Sequence, residues 1–225
     1  MDKMSIFINL LKYRVLLFLA ILNLTAYAQG IEHITTKAPI ISLPFSNNSE
    51  WLRQRLIRIE NQPKLLTGDR IYLLNALSKA KQIIVNPKGG TAFGDLDWPD
   101  TSNTFLGKIK DLMVVGIIKQ KALKQSLIYI KAHQVDDSLW YGMLVTYDNS
   151  GNIINWLFSD GYANEGNPHG NISRDFKMLP TGVLVIKEGA WGDNTDTYGF
   201  TGVFKVINNK VVLQKRKFVQ GRVLQ

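Results

Sequence analysis

The chain contains no cysteine among its 225 residues. This absence excludes disulfide bonds, thiolate metal ligands, a cysteine nucleophile and an acylated lipoprotein cysteine. A chain of this length can bury enough apolar surface to fold without covalent cross-links. The sequence therefore predicts a domain that is held together by its hydrophobic core.

Several catalytic signatures are missing as well. The chain has no G-x-S-x-G, no H-E-x-x-H and no G-x-x-x-x-G-K-S/T sequence. An α/β-hydrolase, a zinc peptidase and a P-loop nucleotide hydrolase are therefore not supported. Histidine, the side chain best suited to general acid–base work near neutral pH, occurs only at positions 33, 133 and 169. We expect no cofactor and no bound metal.

The first 28 residues have the three parts of a secretory signal peptide. Basic residues, ending at Arg14, lead into the apolar run 15–22, and Ala26-Tyr27-Ala28 supplies an A-x-A cleavage site. The apolar run is shorter than the roughly 20 residues that a bilayer-spanning helix needs. We expect export to the periplasm or the extracellular space and no transmembrane segment after cleavage. An uncleaved anchor is the alternative.

The chain is basic, with a formal net charge of +9. Cleavage after residue 28 removes three basic residues and one acidic residue, so the mature chain keeps a charge of +7. Outside the cytoplasm an anionic partner would be a lipid headgroup, an anionic envelope polymer or an acidic protein. Nucleic acid is seldom available there, and we expect none as a partner. Solubility alone is the competing explanation of the charge.

Two helices are predicted after the signal segment. Proline residues mark 29–48 as an extended leader with a short strand near 38–43. Ser49 can cap a helix over 50–61, and Thr67 or Asp69 can cap a second one. The stripe Leu73, Leu77, Ala80 and Ile84 lies on one face of that second helix. We expect residues 49–90 to form a helical pair that covers a sheet.

From residue 91 onward the apolar pattern becomes that of strands. The predicted strands are 108–119, 125–134, 139–147, 152–158, 172–178, 183–187, 199–207 and 211–218. Residues 148–151 and Asn208-Asn209 are predicted hairpin turns, because asparagine tolerates the left-handed backbone conformation. The fold class is mainly β (α+β): a curled antiparallel meander or partial barrel of about eight strands, preceded by two helices. Residues 91–225 form this β domain.

Catalytic candidates are sparse. His133 shares one side of its strand with Leu127, Tyr129 and Lys131, which is typical of a structural residue. His169 lies in the glycine-rich loop 161–170, where ligand contacts often occur. A hydrolase or metal-dependent enzyme would use His169 with Glu165 or Asp175. A structural turn is the alternative.

Two groups of carboxylates are spaced as oxygen ligands can be. Asp95, Asp97 and Asp100 form the first group, and Asp193 with Asp196 the second. The first lacks the central glycine and the distal glutamate of a calcium loop, and the second has only two carboxylates. A solvated loop is the simpler interpretation of each.

Aromatic side chains flank two of the predicted loops. Trp156 and Tyr162 flank residues 158–161, and Trp191 and Tyr198 flank residues 192–197. If the loops lie at the same end of the sheet, these rings can form a rim that binds a sugar or a protein. Packing of the rings in the core is the alternative.

Basic residues form two clusters along the chain. The first consists of Lys108, Lys110, Lys119, Lys121, Lys124 and Lys131, and the second of Lys210, Lys215, Arg216, Lys217 and Arg222. No acidic residue follows Asp196. If the first and last strands are neighbours, the clusters merge into one positive face. Protection of exposed strand edges from aggregation is the alternative.

These features favour an exported, non-enzymatic protein that binds another protein or an anionic envelope component. An inhibitor or immunity-type partner is one form of this interpretation, by analogy of fold and location. The expected binding residues are Trp156, Tyr162, His169, Trp191, Tyr198, Lys215, Arg216 and Lys217. The catalytic alternative uses His169, Glu165 and Asp175. A passive structural protein is the third interpretation.

Overall fold

The computed structural model describes residues 13–14, 30–47, 64–86, 105–120, 125–134, 140–164, 171–191 and 197–221. Most of the predicted signal segment and all of the predicted helix 50–61 lie outside these ranges. The two predicted carboxylate groups, at 95–100 and 193–196, lie outside them as well.

Two α-helices, one 3-10 helix and eleven strands are formed by the described residues. The helices are α1 (Ile31–Thr36), α2 (Thr67–Lys79) and the 3-10 helix Phe105–Lys108. The strands are β1 (Ile40–Ile41), β2 (Phe45–Ser46), β3 (Lys81–Gln82), β4 (Ile109–Gln120), β5 (Gln125–Gln134), β6 (Trp140–Tyr147), β7 (Ile153–Asn164), β8 (Asn171–Met178), β9 (Val183–Trp191), β10 (Thr197–Ile207) and β11 (Lys210–Gly221).

Strands β4 to β11 form an antiparallel meander in which each strand pairs with the next along the chain. Strand β1 adds to β4 in parallel, while β2 pairs with β8 and β3 pairs with β7. The end strands of the path are β1 and β11, so the sheet is not closed. The predicted fold class, a mainly β curled meander preceded by two helices, is confirmed.

Strand β7 divides the sheet into two halves. Its first residues pair with β6 and β3, and residues 161–164 pair with β8. One apolar core joins both halves, because it contains Tyr129 and Leu144 from the first half and Phe176 and Phe204 from the second. We call the side of each half whose side chains form this core the inner face. Since strand side chains alternate, the residues between them point to the outer face.

The outer face of the first half is covered by the helices. A second core contains Ile31 and Ile34 of α1 and Leu73 and Leu77 of α2, packed with residues of β4 to β7. The prediction that helices cover apolar strands on their second face is therefore confirmed for α2. This arrangement explains why β5 and β6 are apolar on both sides.

The N-terminal region differs from the prediction in two places. Residues 31–36, predicted to be part of an extended leader, form helix α1, because Ile31 and Ile34 are buried. Helix α2 ends at Lys79, so Ala80 and Ile84 are not part of its stripe; the chain turns into β3, which pairs with β7. The N-cap of α2 is Leu66, without a side-chain cap, rather than Thr67 or Asp69.

Four charged side chains are buried on the inner face at one end of the sheet. Lys131 pairs with Asp160, and Arg174 pairs with Glu188. The hydroxyl of Tyr129 donates to both carboxylate oxygens of Asp160, at 3.0 Å each. Buried charge is tolerated here because each group has an opposite charge, and Asp160, Arg174 and Glu188 accept or donate further hydrogen bonds.

Both predicted hairpin turns are confirmed. Asn208 and Asn209 have φ angles of 49° and 57°, the left-handed region that a type I′ turn requires at both central positions. In the other turn, Oδ1 of Asp148 accepts hydrogen bonds from the backbone amides of Ser150 and Asn152, at 2.9 and 2.8 Å. Nδ2 of Asn152 also donates to Oδ2 of Asp148, at 3.1 Å. This side-chain hydrogen bond is the main cause that lowers the pKa of Asp148, and the backbone hydrogen bonds lower it further.

Candidate binding surface

Of the three residues proposed for the catalytic alternative, the described part of the chain contains only Asp175. Asp175 lies in β8, where its Oδ1 accepts a hydrogen bond from Nδ2 of Asn47 at 2.9 Å. His169 and Glu165 lie outside the described residues. The described residues contain no group of three or more histidine, aspartate or glutamate side chains that could hold a metal ion.

Trp156 packs in the core. Its side chain is 3% exposed, and its Nε1 donates to the carbonyl oxygen of Leu77 in α2 at 3.0 Å. Its ring meets Phe158 edge-on, with centroids 5.2 Å apart. Trp156 therefore fastens α2 to the sheet, and it is not available to an exposed aromatic rim.

The strand ends that carry the other aromatic positions lie side by side. Asn171 pairs with both Asn164 and Trp191, and Ala190 pairs with Tyr198. The connections 165–170 and 192–196 therefore leave the same end of the sheet. Residues 158–161, which were predicted to form the first loop, lie within β7, so that prediction is wrong: the strand continues to Asn164. The side chains of Tyr162, Trp191 and Tyr198 lie outside the described part of the chain.

The two remaining histidines each lie beside an aspartate. His33 Nδ1 lies 3.4 Å from Oδ1 of Asp69, next to a cleft of about 330 Å³ between α1 and the start of α2. His133 Nδ1 lies 3.7 Å from Oδ2 of Asp111. Burial alone would raise the pKa of Asp111, but the hydrogen bond and charge of Lys64, with neighbouring positive charges, lower it. Each aspartate thus has a partner within the protein.

The two predicted basic clusters do not merge. Strand β11 pairs only with β10 among the described strands, and β4 pairs with β1 and β5. Lys131, predicted to belong to the first cluster, is buried and bound to Asp160. The prediction of one face built from both clusters is therefore wrong, because the sheet does not close between its first and last long strands.

A different basic surface is formed by the outer face of β8 to β11. The strand register aligns Lys177 with Val185, Val203 and Lys215, and Asp175 with Lys187, Thr201 and Lys217. Lys205 pairs with Val212, and Lys210 pairs with Ile207. Partners across an antiparallel pair share a face. We call this surface the lysine face; its lysines are Lys177, Lys187, Lys205, Lys210, Lys215 and Lys217.

All six lysines are exposed. Asp175 is the one carboxylate on the face within the described parts of β8 to β11. Valine, threonine and glycine occupy the positions between the lysines, so the centre of the surface carries only short side chains. The described helices pack against the other half of the sheet. The lysine face is therefore an open, positively charged sheet surface.

The spacing of the strands sets the size of this surface. Neighbouring strands lie about 4.8 Å apart, so Lys177 on β8 and Lys215 on β11 are separated by roughly 14 Å across the sheet. Two residues along a strand add roughly 7 Å. Ammonium groups distributed in this way can contact several anionic groups of one large partner at once. A single small anion would contact only one or two of them.

Arg216 lies on the opposite side of β11. It pairs with Gly202 on the inner face, and its Nη2 donates to the carbonyl oxygen of Ile84 at 2.8 Å. Of the three basic binding residues predicted from the sequence, Lys215 and Lys217 belong to the lysine face and Arg216 does not. Alternation along the strand separates them.

Three lysines of this surface were missed in the sequence. Lys187 and Lys205 are the only basic residues of β9 and β10, Lys177 shares β8 with the buried Arg174, and none of the three belongs to a basic run. Only the strand register brings them to one face with Lys215 and Lys217. The sequence signal that could have found them is strand alternation. Residues two or four apart in a strand lie on the same face, and each of these lysines lies at that spacing from another outer-face residue of its strand.

Comparison of the chain with protein-family models, with curated proteins and with solved structures finds no match. None of the described helices is both long and apolar enough to span a membrane.

Proposed function

We propose that this protein is an exported, non-enzymatic binding protein that attaches to an anionic partner through the lysine face. The observation that carries the proposal is the register of β8 to β11, which places six exposed lysines on one sheet face, where Asp175 is the one carboxylate within the described parts of these strands. Positive potential over such a surface attracts and orients a large anionic partner.

The N-terminal sequence supports a location outside the cytoplasm. Anionic partners there are envelope polymers, lipid headgroups and acidic proteins. The breadth of the lysine face, with roughly 14 Å between Lys177 and Lys215, favours an extended partner over a small molecule, because small-molecule sites are concave pockets. The acid-free sequence after Asp196 keeps the hairpin β10–β11 free of negative charge.

Capture from an envelope extract tests this proposal. The face variant replaces Lys177, Lys187, Lys215 and Lys217 with glutamine. The control variant replaces four exposed lysines elsewhere: Lys79, Lys81, Lys108 and Lys119. Both variants have the same net charge, so they differ only in where the charge is lost. After crosslinking at low salt, the wild type and the control variant should recover the same component, and the face variant should not. Equal recovery by both variants would contradict the proposal.

A further inference from the structure

The tip of hairpin β10–β11 combines positive charge with exposed aliphatic side chains. On its outer face the pair Lys205–Val212 is followed by the pair Ile207–Lys210, next to the turn Asn208-Asn209. Each cross-strand pair therefore joins one lysine to one aliphatic residue. Along each strand, and across each pair, a lysine therefore neighbours an aliphatic residue.

Burial distinguishes the two faces of this tip. Val206 and Val211, on the inner face, are 1% and 2% exposed, whereas Ile207 and Val212 are 41% and 39% exposed. A surface that only attracts soluble polyanions gains nothing from exposed aliphatic groups. Aliphatic residues surrounded by lysines are the composition of segments that enter the interface of an anionic bilayer. There, each lysine stem extends along apolar surface while its ammonium group stays at the headgroups.

We infer that the anionic partner is a lipid bilayer surface, and that the tip enters its interfacial region with Ile207 and Val212. This inference rests on the proposed function and names its partner. The lysine face then lies against the headgroups, and Lys205 and Lys210 hold the tip at the boundary. The attraction of each lysine falls off within a Debye length, so binding weakens as salt is added.

Co-sedimentation with vesicles tests the inference. The full mature protein is mixed with vesicles of phosphatidylcholine alone or of phosphatidylcholine with phosphatidylglycerol. We expect binding to the anionic vesicles only. Replacing Lys205 and Lys210 with glutamine should lower the partition coefficient about 25-fold at low salt, from about fivefold for each lysine near the surface.

The aliphatic pair is tested with Ile207→Thr and Val212→Thr together. Threonine is β-branched and suits a strand, so this variant keeps the hairpin while it replaces apolar groups with hydroxyls. It should bind anionic vesicles at least fivefold more weakly. The matched control is Ile71→Thr, because Ile71 is 51% exposed on α2, away from the tip. This control should bind like the wild type.

Insertion has a second readout that does not depend on affinity. Val212→Trp places an indole at the tip, and its fluorescence should shift to the blue with anionic vesicles and remain unchanged with a soluble sulfated polysaccharide.

The inference falls if the threonine variant binds vesicles as tightly as the wild type, or if the indole does not shift. If vesicle insertion fails but the face variant still binds the sulfated polysaccharide more weakly than the wild type, the proposed function stands and only the bilayer as its partner is wrong. A wild type that binds neither probe overturns both.

Discussion

The side-chain amide of Asn155 on β7 bonds to both backbone groups of Val211 on β11. Its Oδ1 accepts from the Val211 amide at 3.3 Å, and its Nδ2 donates to the Val211 carbonyl at 3.5 Å. The hydroxyl of Thr146 also donates to this Oδ1, at 2.7 Å. One side chain thus links the last strand to the first half of a sheet that does not close.

Loss of this link should destabilise the protein. Asn155→Ala leaves the buried backbone amide and carbonyl of Val211 without this partner, at a cost of about 1–3 kcal/mol. The midpoint of urea denaturation should fall accordingly. Asn75→Ala, on the exposed surface of α2, is the control and should leave the midpoint nearly unchanged. Equal midpoints for the two variants would show that the amide link does not contribute.

Gly142 makes room for the buried ion pair of Lys131 and Asp160. A Cβ atom at position 142 would overlap the carboxylate of Asp160, its partner across the strands. Gly142→Ala should therefore lower the free energy of unfolding by about 1–3 kcal/mol, the usual cost of overpacking. Gly199→Ala is the matched control, because a Cβ there meets nothing within 4 Å. A Gly142→Ala protein as stable as this control would contradict the described packing.

Tyr129 should keep its proton far into the alkaline range. Burial raises its pKa well above the ordinary value of 10.0, and the charge and hydrogen bonding of Asp160 raise it further. The unfolded chain releases this proton near pH 10.0 while the folded protein retains it, so the free energy of unfolding should decrease as the pH rises above 10.0. Tyr129→Phe should reduce that decrease.

Phenolate absorbance measures the titration of Tyr129 directly. Tyr129 should ionise only when the protein unfolds, and the Tyr129→Phe variant should lack this late step. Absence of any late step that Tyr129→Phe removes would show that the Tyr129 phenol is not held by Asp160.

Export gives a prediction about the mature N-terminus. Intact-mass measurement of protein from its native source should give a chain that begins at or near Gln29, because the A-x-A site ends at Ala28. A chain that retains residues 1–28, or one that is found in the cytosol, would contradict export.

Local pattern predicted most of the meander, because strand alternation and turn chemistry depend on neighbouring residues. Asn208 and Asn209 determine a turn within two residues, and the predicted strand 125–134 matches β5 at both ends. Helix α1 was missed because its six residues, rich in β-branched side chains, have little helical preference and are held by the burial of Ile31 and Ile34.

The lysine face depends on information that no short segment carries. Lys177 and Lys215 are 38 residues apart in the chain, and they share a row only because three strand pairings fix their register. Lys215 and Lys217 were identified from their basic run, but the same run contains Arg216, which lies on the other side of β11. A count of charge along the chain cannot separate these residues, whereas the register does.

The most direct test of binding through the lysine face measures how much salt releases each protein from an immobilised sulfated polysaccharide. The wild type, the face variant and the control variant with equal net charge are compared on the same column. If binding occurs through the lysine face, the control variant should elute close to the wild type and the face variant at clearly lower salt, because only the latter loses the clustered charge. Elution of both variants at the same salt concentration would show that net charge, and not the lysine face, governs binding.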